Sequence, residues 1–235
     1  MRKRNKILAC ALAAAIFIAT GVGAKVMATS ETEDSTKQTD TETTKLTKTQ
    51  EESLKKIKAT YDVKNQEKTA EELEEKKSSQ EYTLSNMLIE YNPFGTNTQS
   101  LYVYFNTDEP VSVAYTVHAE DPKIQDFNRT VYQEEAYQKE HEFQVIGLIP
   151  DMENKVTFFL TKEDGSTDTK EIVFEMGSLM GTEDVQLDTD VEGDASQLED
   201  GLYVVLGNDS TALDFMYFYD NNGTLRGEVP LLGYR

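Results

Sequence analysis

His118 and His141 are the two histidines of the chain, and acids stand beside both: Ala119-Glu120 follows the first, while Glu140 and Glu142 bracket the second. A neighbouring carboxylate favours the imidazolium and can pair with it. Both are therefore expected as solvent-facing histidines at strand edges. Nucleophilic or metal chemistry asks for more than an imidazole. It needs a Ser or Cys for the ring to activate, or a second His at ligand spacing, and neither histidine has such a neighbour in sequence. No catalytic residue and no cofactor-binding residue is assigned.

One acidic loop has metal-ligand spacing. Asp188, Asp190 and Glu192 place oxygens at the first, third and fifth positions of an EF-hand-like loop, followed by Gly193, Asp194 and, at the twelfth position, Glu199. Against a calcium site stand Ala195 at the eighth position and the lack of flanking amphipathic helices. An acidic chain also produces such spacings in its linkers, so the expected reading is a solvated linker with no metal. Asp220-Asn221-Asn222-Gly223 could be taken for a second metal loop, but Asn and Gly tolerate the positive φ of a turn, which accounts for it. Aromatic richness in 101–105 and 213–219 could mark a binding face; cross-strand stacking is the default for such strand formers.

The address of the chain is written at its start. Arg2, Lys3, Arg4 and Lys6 precede an uncharged apolar run from Ile7 to Val22, with small residues at Val26-Met27-Ala28. Residues 1–28 read as a signal peptide or, left uncleaved, as an N-terminal membrane anchor. An exported, extracellular or cell-surface location is expected. Cys10 lies inside that segment and is the sole cysteine, so the remainder can form neither a disulfide nor a thiolate metal site. With 23 basic against 43 acidic residues the net charge is −20. Removing residues 1–28 takes away five bases and no acids. Such a balance repels nucleic acid, which excludes a nucleic-acid partner.

Four further regions follow. Residues 29–80 are expected as a disordered linker carrying short helices, because Thr29 to Thr49 has one large apolar residue, Leu46. Thr49-Gln50-Glu51-Glu52 and Thr69-Ala70-Glu71-Glu72 both have capping-box spacing. Leu54, Ile57 and Tyr61 form a narrow stripe on the first helix, and only Ala70 and Leu73 could bury on the second. A solvated stalk is the expected outcome. Residues 81–177 alternate with a period of two: Leu101, Val103 and Phe105; Val111, Val113, Tyr115 and Val117; Phe143 and Val145; Val156, Phe158 and Leu160; Ile172 and Phe174. Six or seven short strands with turns at Asp108-Glu109-Pro110, Gly147 to Asp151 and Glu163 to Ser166 describe an antiparallel β-sandwich. Residues 178–200 read as an acidic linker. Residues 201–235 read as a three-stranded meander whose last hairpin turns at Asn222-Gly223.

Tyr91-Asn92-Pro93-Phe94-Gly95, with the strands after it, resembles the opening domain of bacterial aryl-sulfate sulfotransferases. Gly147-Leu148-Ile149-Pro150-Asp151 beside Val156-Thr157-Phe158-Phe159 also resembles the turn-and-strand signature of fibronectin type III domains, in which the leucine enters the core. These resemblances imply a mostly β protein: a fibronectin III/Ig-like sandwich followed by the first strands of an incomplete β-propeller at 201–235. They imply nucleotide-independent sulfuryl transfer from an aryl sulfate to a phenol in the full-length enzyme. The propeller would supply the nucleophilic histidine and its cationic helpers, and the sandwich would serve in domain packing and homodimer association. Nothing in 201–235 matches that catalytic site, so this polypeptide is expected to be inactive alone, with its own missing propeller as partner. The meander's apolar face, with Val204, Phe215 and Tyr217, is expected to lack a cover, leaving the tail flexible against the sandwich and prone to association. The alternative is a stalked extracellular binding module with a fibronectin-like domain.

Overall fold

Strand β2, Ser100–Ala119, is 20 residues long and carries most of the pairing in the sandwich. Its first half pairs antiparallel with β1 (Leu88–Tyr91) and β4 (Gln138–Ile146), and its second half with β3 (Phe127–Thr130) and β5 (Glu153–Lys162). β6 (Thr167–Glu175) continues the ladder outward from β5. The change of partners falls where the register slips between Asn106 and Val111. Asp108, Glu109 and Pro110 lie there, all exposed. Proline has no N–H to give, so an interrupted stretch of ladder accommodates it without loss. The sequence suggested two strands around a turn; one strand with an irregular middle is what forms, and it serves both leaves of the sandwich.

The structure is a computed structural model and describes residues 46–188, 190, 201–208 and 213–233. Facing leaves enclose a single core in which Leu101, Val103 and Phe105 meet Val113, Tyr115, Val117, Val145, Leu148, Val156, Phe158 and Leu160. Phe143 of β4 meets Phe158 of β5 edge to face, 6.1 Å between centroids. Val113, Val145 and Phe158 are buried as their alternation requires. Phe174, on the outermost strand β6, is only half-buried and stacks on Tyr91 at 6.2 Å. At the Gly147 to Asp151 turn, Leu148 and Ile149 are fully buried. Asn154 fixes this turn, accepting from Ile149 N–H at 2.8 Å and donating to Ile149 O at 2.9 Å. Gly147 is obligatory twice over: its φ is +89°, and a Cβ would run into the Phe127 ring.

Helices α1 (Lys48–Thr60) and α2 (Val63–Ser79) pack onto the β structure, which corrects the solvated-stalk expectation. Both start earlier than the spacing suggested. Thr47 and Gln50 form the capping box of α1, and Asp62 caps α2 by accepting from Asn65 N–H at 3.0 Å. Thr69 thus sits inside a helix. Among the described residues no helix is long and apolar enough to cross a membrane. Leu73 of α2 packs with Tyr82, Leu88, Tyr102 and Tyr104 on the outer face of the β1–β2–β4 leaf. Ile57 of α1 packs elsewhere, with Leu213, Phe215, Tyr217, Tyr219 and Leu225.

Those last residues belong to a second, three-stranded antiparallel sheet of β7 (Tyr203–Asn208), β8 (Asp214–Tyr219) and β9 (Leu225–Leu231). The Asp220 to Gly223 segment is the β8–β9 turn, with Gly223 at φ +70° and Asp220 Oδ1 accepting from Asn222 and Thr224 N–H. The meander is seated, not loose. Phe215 and Tyr217 are fully buried, whereas Val204 is 53 % exposed. Pairing explains the split: Val204 lies opposite Phe218 and Val205 opposite Tyr217, so Val204 and Tyr217 are on opposite faces.

Truncating the centre of the sandwich tests this core. Phe158→Ala is expected to cost about 3–5 kcal/mol, the usual range for removing a buried phenyl. Urea unfolding of the variant checks it, and a loss below about 1 kcal/mol would remove Phe158 from the core.

Candidate functional site

The chemistry-bearing residues that the structure gathers lie along β9. Its sequence, Leu225-Arg226-Gly227-Glu228-Val229-Pro230-Leu231, puts two charges at positions i and i+2, hence on one face. Both are buried, Arg226 at 1 % and Glu228 at 0 % exposure. A buried charge survives only where hydrogen bonds replace its water, and both residues have them. Arg226 donates from Nε to Asp220 Oδ2 at 2.7 Å, from one terminal nitrogen to Gln125 O at 2.6 Å and from the other to Gly147 O at 3.3 Å. Its guanidinium also lies over the Phe127 ring, 5.0 Å from the centroid. Burial lowers the Arg226 pKa, and the Asp220 carboxylate opposes that shift.

Glu228 is held from the other side. Its Oε1 accepts from Thr98 Oγ1 at 2.7 Å and from Met180 N–H at 2.9 Å, and its Oε2 accepts from Gly181 N–H at 2.7 Å. Its backbone joins in, with Thr98 N–H donating to Glu228 O at 2.9 Å. Gln125, Phe127, Gly147 and Thr98 all belong to the sandwich or its loops. β9 is therefore tied to the sandwich at two points by the same face. Residues 178–188, expected as the start of a free linker, contribute as well. Leu225 N–H donates to Val185 O at 2.8 Å, Leu187 N–H to Gly223 O at 2.9 Å and Tyr219 Oη to Asp184 O at 2.7 Å. Burial, then the nearby Glu183 and Asp184, push the Tyr219 phenol up to about 12.

The histidines part company. His118 lies near the end of β2, opposite Lys155, half-exposed, with Nδ1 2.6 Å from Asp126 Oδ1. His141 lies opposite Phe105, at the far half of the same strand, and is 1 % exposed. It stacks on Phe105 at 4.8 Å between centroids, and its ring nitrogens lie 3.3 Å from Thr107 Oγ1 and from Gln133 Nε2. This corrects the solvent-facing expectation for His141. Burial pushes its imidazole down from the ordinary 6.5 to about 4, overriding the upward pull of Glu140.

The calcium-loop candidates are only partly described. Asp188 and Asp190 are exposed, and Glu192, Asp194 and Glu199 lie outside the described residues. Among the described residues no three His, Cys, Asp or Glu side chains are grouped to hold a metal. A cleft of about 680 Å³ is lined by Thr83, Thr107, Glu109, Lys162, Asp168 and Lys170, and Lys162 there is paired with Glu109 at 2.7 Å. The site that matters was missed in the sequence. Its signal was present: two opposite charges of period two in an otherwise apolar strand.

Residues 88–177 match the family model for the arylsulfotransferase Ig-like domain. The match starts at β1, runs through β6 and stops before the meander. Over these residues the chain is similar to that Ig-like domain, and the fold there is an antiparallel β-sandwich. No curated protein matches the chain.

His141 yields a pH prediction. Its folded-state pKa lies below its unfolded value, so protonation favours unfolding. The stability tied to the neutral ring is complete above about pH 6.5 and falls away towards pH 4, by at most about 3 kcal/mol. Replacing it by Gln should flatten the stability profile between those values, measured by urea unfolding at each pH. Parallel profiles for the two proteins would refute the assignment.

Proposed function

We propose that this chain is the exported front end of an aryl-sulfate sulfotransferase. In this reading the Ig-like domain and its helices seat the opening strands of the catalytic module. That module moves a sulfuryl group from an aryl sulfate to a phenol without a nucleotide donor. The family match of residues 88–177 supports the enzyme class. The observation that carries the platform role is the β9 seam, in which the sandwich supplies the partners of two buried charges, Arg226 and Glu228. A sandwich serving only an outside ligand has no use for such a seam.

Sulfuryl transfer needs a nucleophile to take the group and cations to neutralise its oxygens. His141 is enclosed by Phe105, Thr107 and Gln133, and His118 faces Asp126. Arg226 already spends its donors on Asp220, Gln125 and Gly147. In this reading the transfer step belongs to strands beyond those described, and β7–β9 are the opening of a propeller. Its further partners are the propeller itself and a second copy of the chain, with aryl sulfate and phenol bound only by the full-length enzyme.

Two measurements test the reading. The purified chain, given 4-nitrophenyl sulfate and phenol, is expected to release no nitrophenol above a blank. Turnover abolished by His118→Ala or His141→Ala would place the chemistry here and overturn the platform role. For export, residues 1–28 fused to a phosphatase that is active only outside the cytoplasm should give an active reporter. An inactive, cytoplasmic fusion would sink that part.

A further inference from the structure

We propose that the α1–α2 hairpin is a two-point latch, closed only when the meander is seated on the Ig-like domain and opening as one unit. The two helices have different anchorages. α1 belongs to the meander: Ile57 is fully buried among Leu213, Phe215, Tyr217 and Leu225, and Tyr61, just past its end, donates from Oη to Pro230 O at 2.8 Å. α2 belongs to the sandwich, through Leu73 against Tyr102 and Tyr104 and through Lys77. The Lys77 ammonium lies 2.7 Å from Glu142 Oε2 and 4.8 Å from the centre of the Tyr104 ring. Lys76 adds a 2.6 Å pair with Glu90.

The corner between the helices is stapled. Gln66 Nε2 donates to Thr60 O at 2.6 Å and to Phe94 O at 2.9 Å, and Asn65 Nδ2 donates to Ala59 O at 3.3 Å. The last carbonyls of α1 are thus satisfied by side chains of α2, so the pair moves together. The corner rests on the Asn92 to Gly95 turn, where Gly95 has φ +70° and a Cβ would collide with Thr60 Oγ1.

Neither helix is secure alone. They run 13 and 17 residues with one buried residue each, Ile57 and Leu73. Helices of that length are marginal in water, and most of their stability comes from a packed face. Joined by a stiff corner, each docking raises the effective concentration of the other, but only if their two receiving surfaces stand at the right separation. Arg226 and Glu228 set that separation by seating β9. Coupling of this kind is reciprocal: the seated meander holds the hairpin closed, and the closed hairpin holds the meander down. The inference rests on these contacts and not on the sulfotransferase reading.

Hydrogen exchange on the full chain tests it. In Ile57→Ala, amides of α2 should exchange at least about thirtyfold faster, the factor matching the lower end of such a truncation, although Ile57 belongs to α1. Amides of β5 should keep their wild-type rates. In Arg226→Ala, α2 should again accelerate although its buried residue, Leu73, packs on the sandwich. Acceleration confined to α1 in the first variant, or helices that exchange only together with β5, would overturn the latch. If Arg226→Ala loosens β5 as well, the Ile57→Ala result decides.

Discussion

Burying Arg226 and Glu228 on one face of β9 is the constraint from which the rest of the arrangement follows. Two charges out of water leave almost no freedom in where their partners stand. Arg226 fixes the 125–127 segment and the Gly147 turn against the meander, and Glu228 fixes Thr98 and the 180–181 backbone. Such a seam adds little net stability over apolar residues of equal volume, because desolvation consumes most of the attraction. Its contribution is position. A purely apolar seam between Phe127 and β9 could slide; one in which a guanidinium needs two particular carbonyls cannot. That fixed placement brings Leu213, Phe215 and Tyr217 to where Ile57 can reach them while Leu73 stays on the sandwich.

The same constraint explains an asymmetry in the meander. Its inner face is covered by α1 and by the 178–181 segment, whose Leu179 and Met180 pack on the buried aromatic cluster. β7 is different. Tyr203, Val204, Val205 and Leu206 are 39–53 % exposed, and β7 is the edge of its sheet among the described residues. It carries no Lys, Pro or other device that blunts a sheet edge. β9, at the opposite edge, is covered by Thr98 and Val185. The sheet therefore has one finished side and one unfinished side, and the buried charges decide which is which.

Much of the sandwich was legible in the sequence because alternation reports burial directly: Val113, Val145 and Phe158 needed no further information. What could not be read was set at a distance. Continuity of β2 through Asp108-Glu109-Pro110 depends on partners that change on either side of the irregularity, and a local window sees only a turn. The helix starts were misplaced because two Thr-x-x-Glu/Gln boxes compete, at Thr47 and Thr49, and α2 uses an Asp instead. His141 was misread for a related reason. Its neighbours in sequence are glutamates, but those side chains point to the other face of β4, where Glu142 accepts from Tyr102 and Glu140 from Tyr104. The ring itself faces Phe105.

Period two thus governs both the misreading and the site. On β4 it hides a neutral histidine behind visible acids; on β9 it places two opposite charges on the one face that meets the sandwich. In each strand the decisive fact is which face the partner sheet covers, and composition is silent about that. β4 could afford its acids because their face meets α2, whose Lys77 supplies a countercharge to Glu142 and whose desolvation is outweighed by Glu142 and Glu74, so that its pKa is raised. Tyr102, buried against the same Glu142, is held firmly in its protonated form. The polar seam on β9 and the polar cluster under α2 are thus two solutions to one problem. Each sets the position of an element that apolar contact alone would leave free to shift, and the hairpin corner links them.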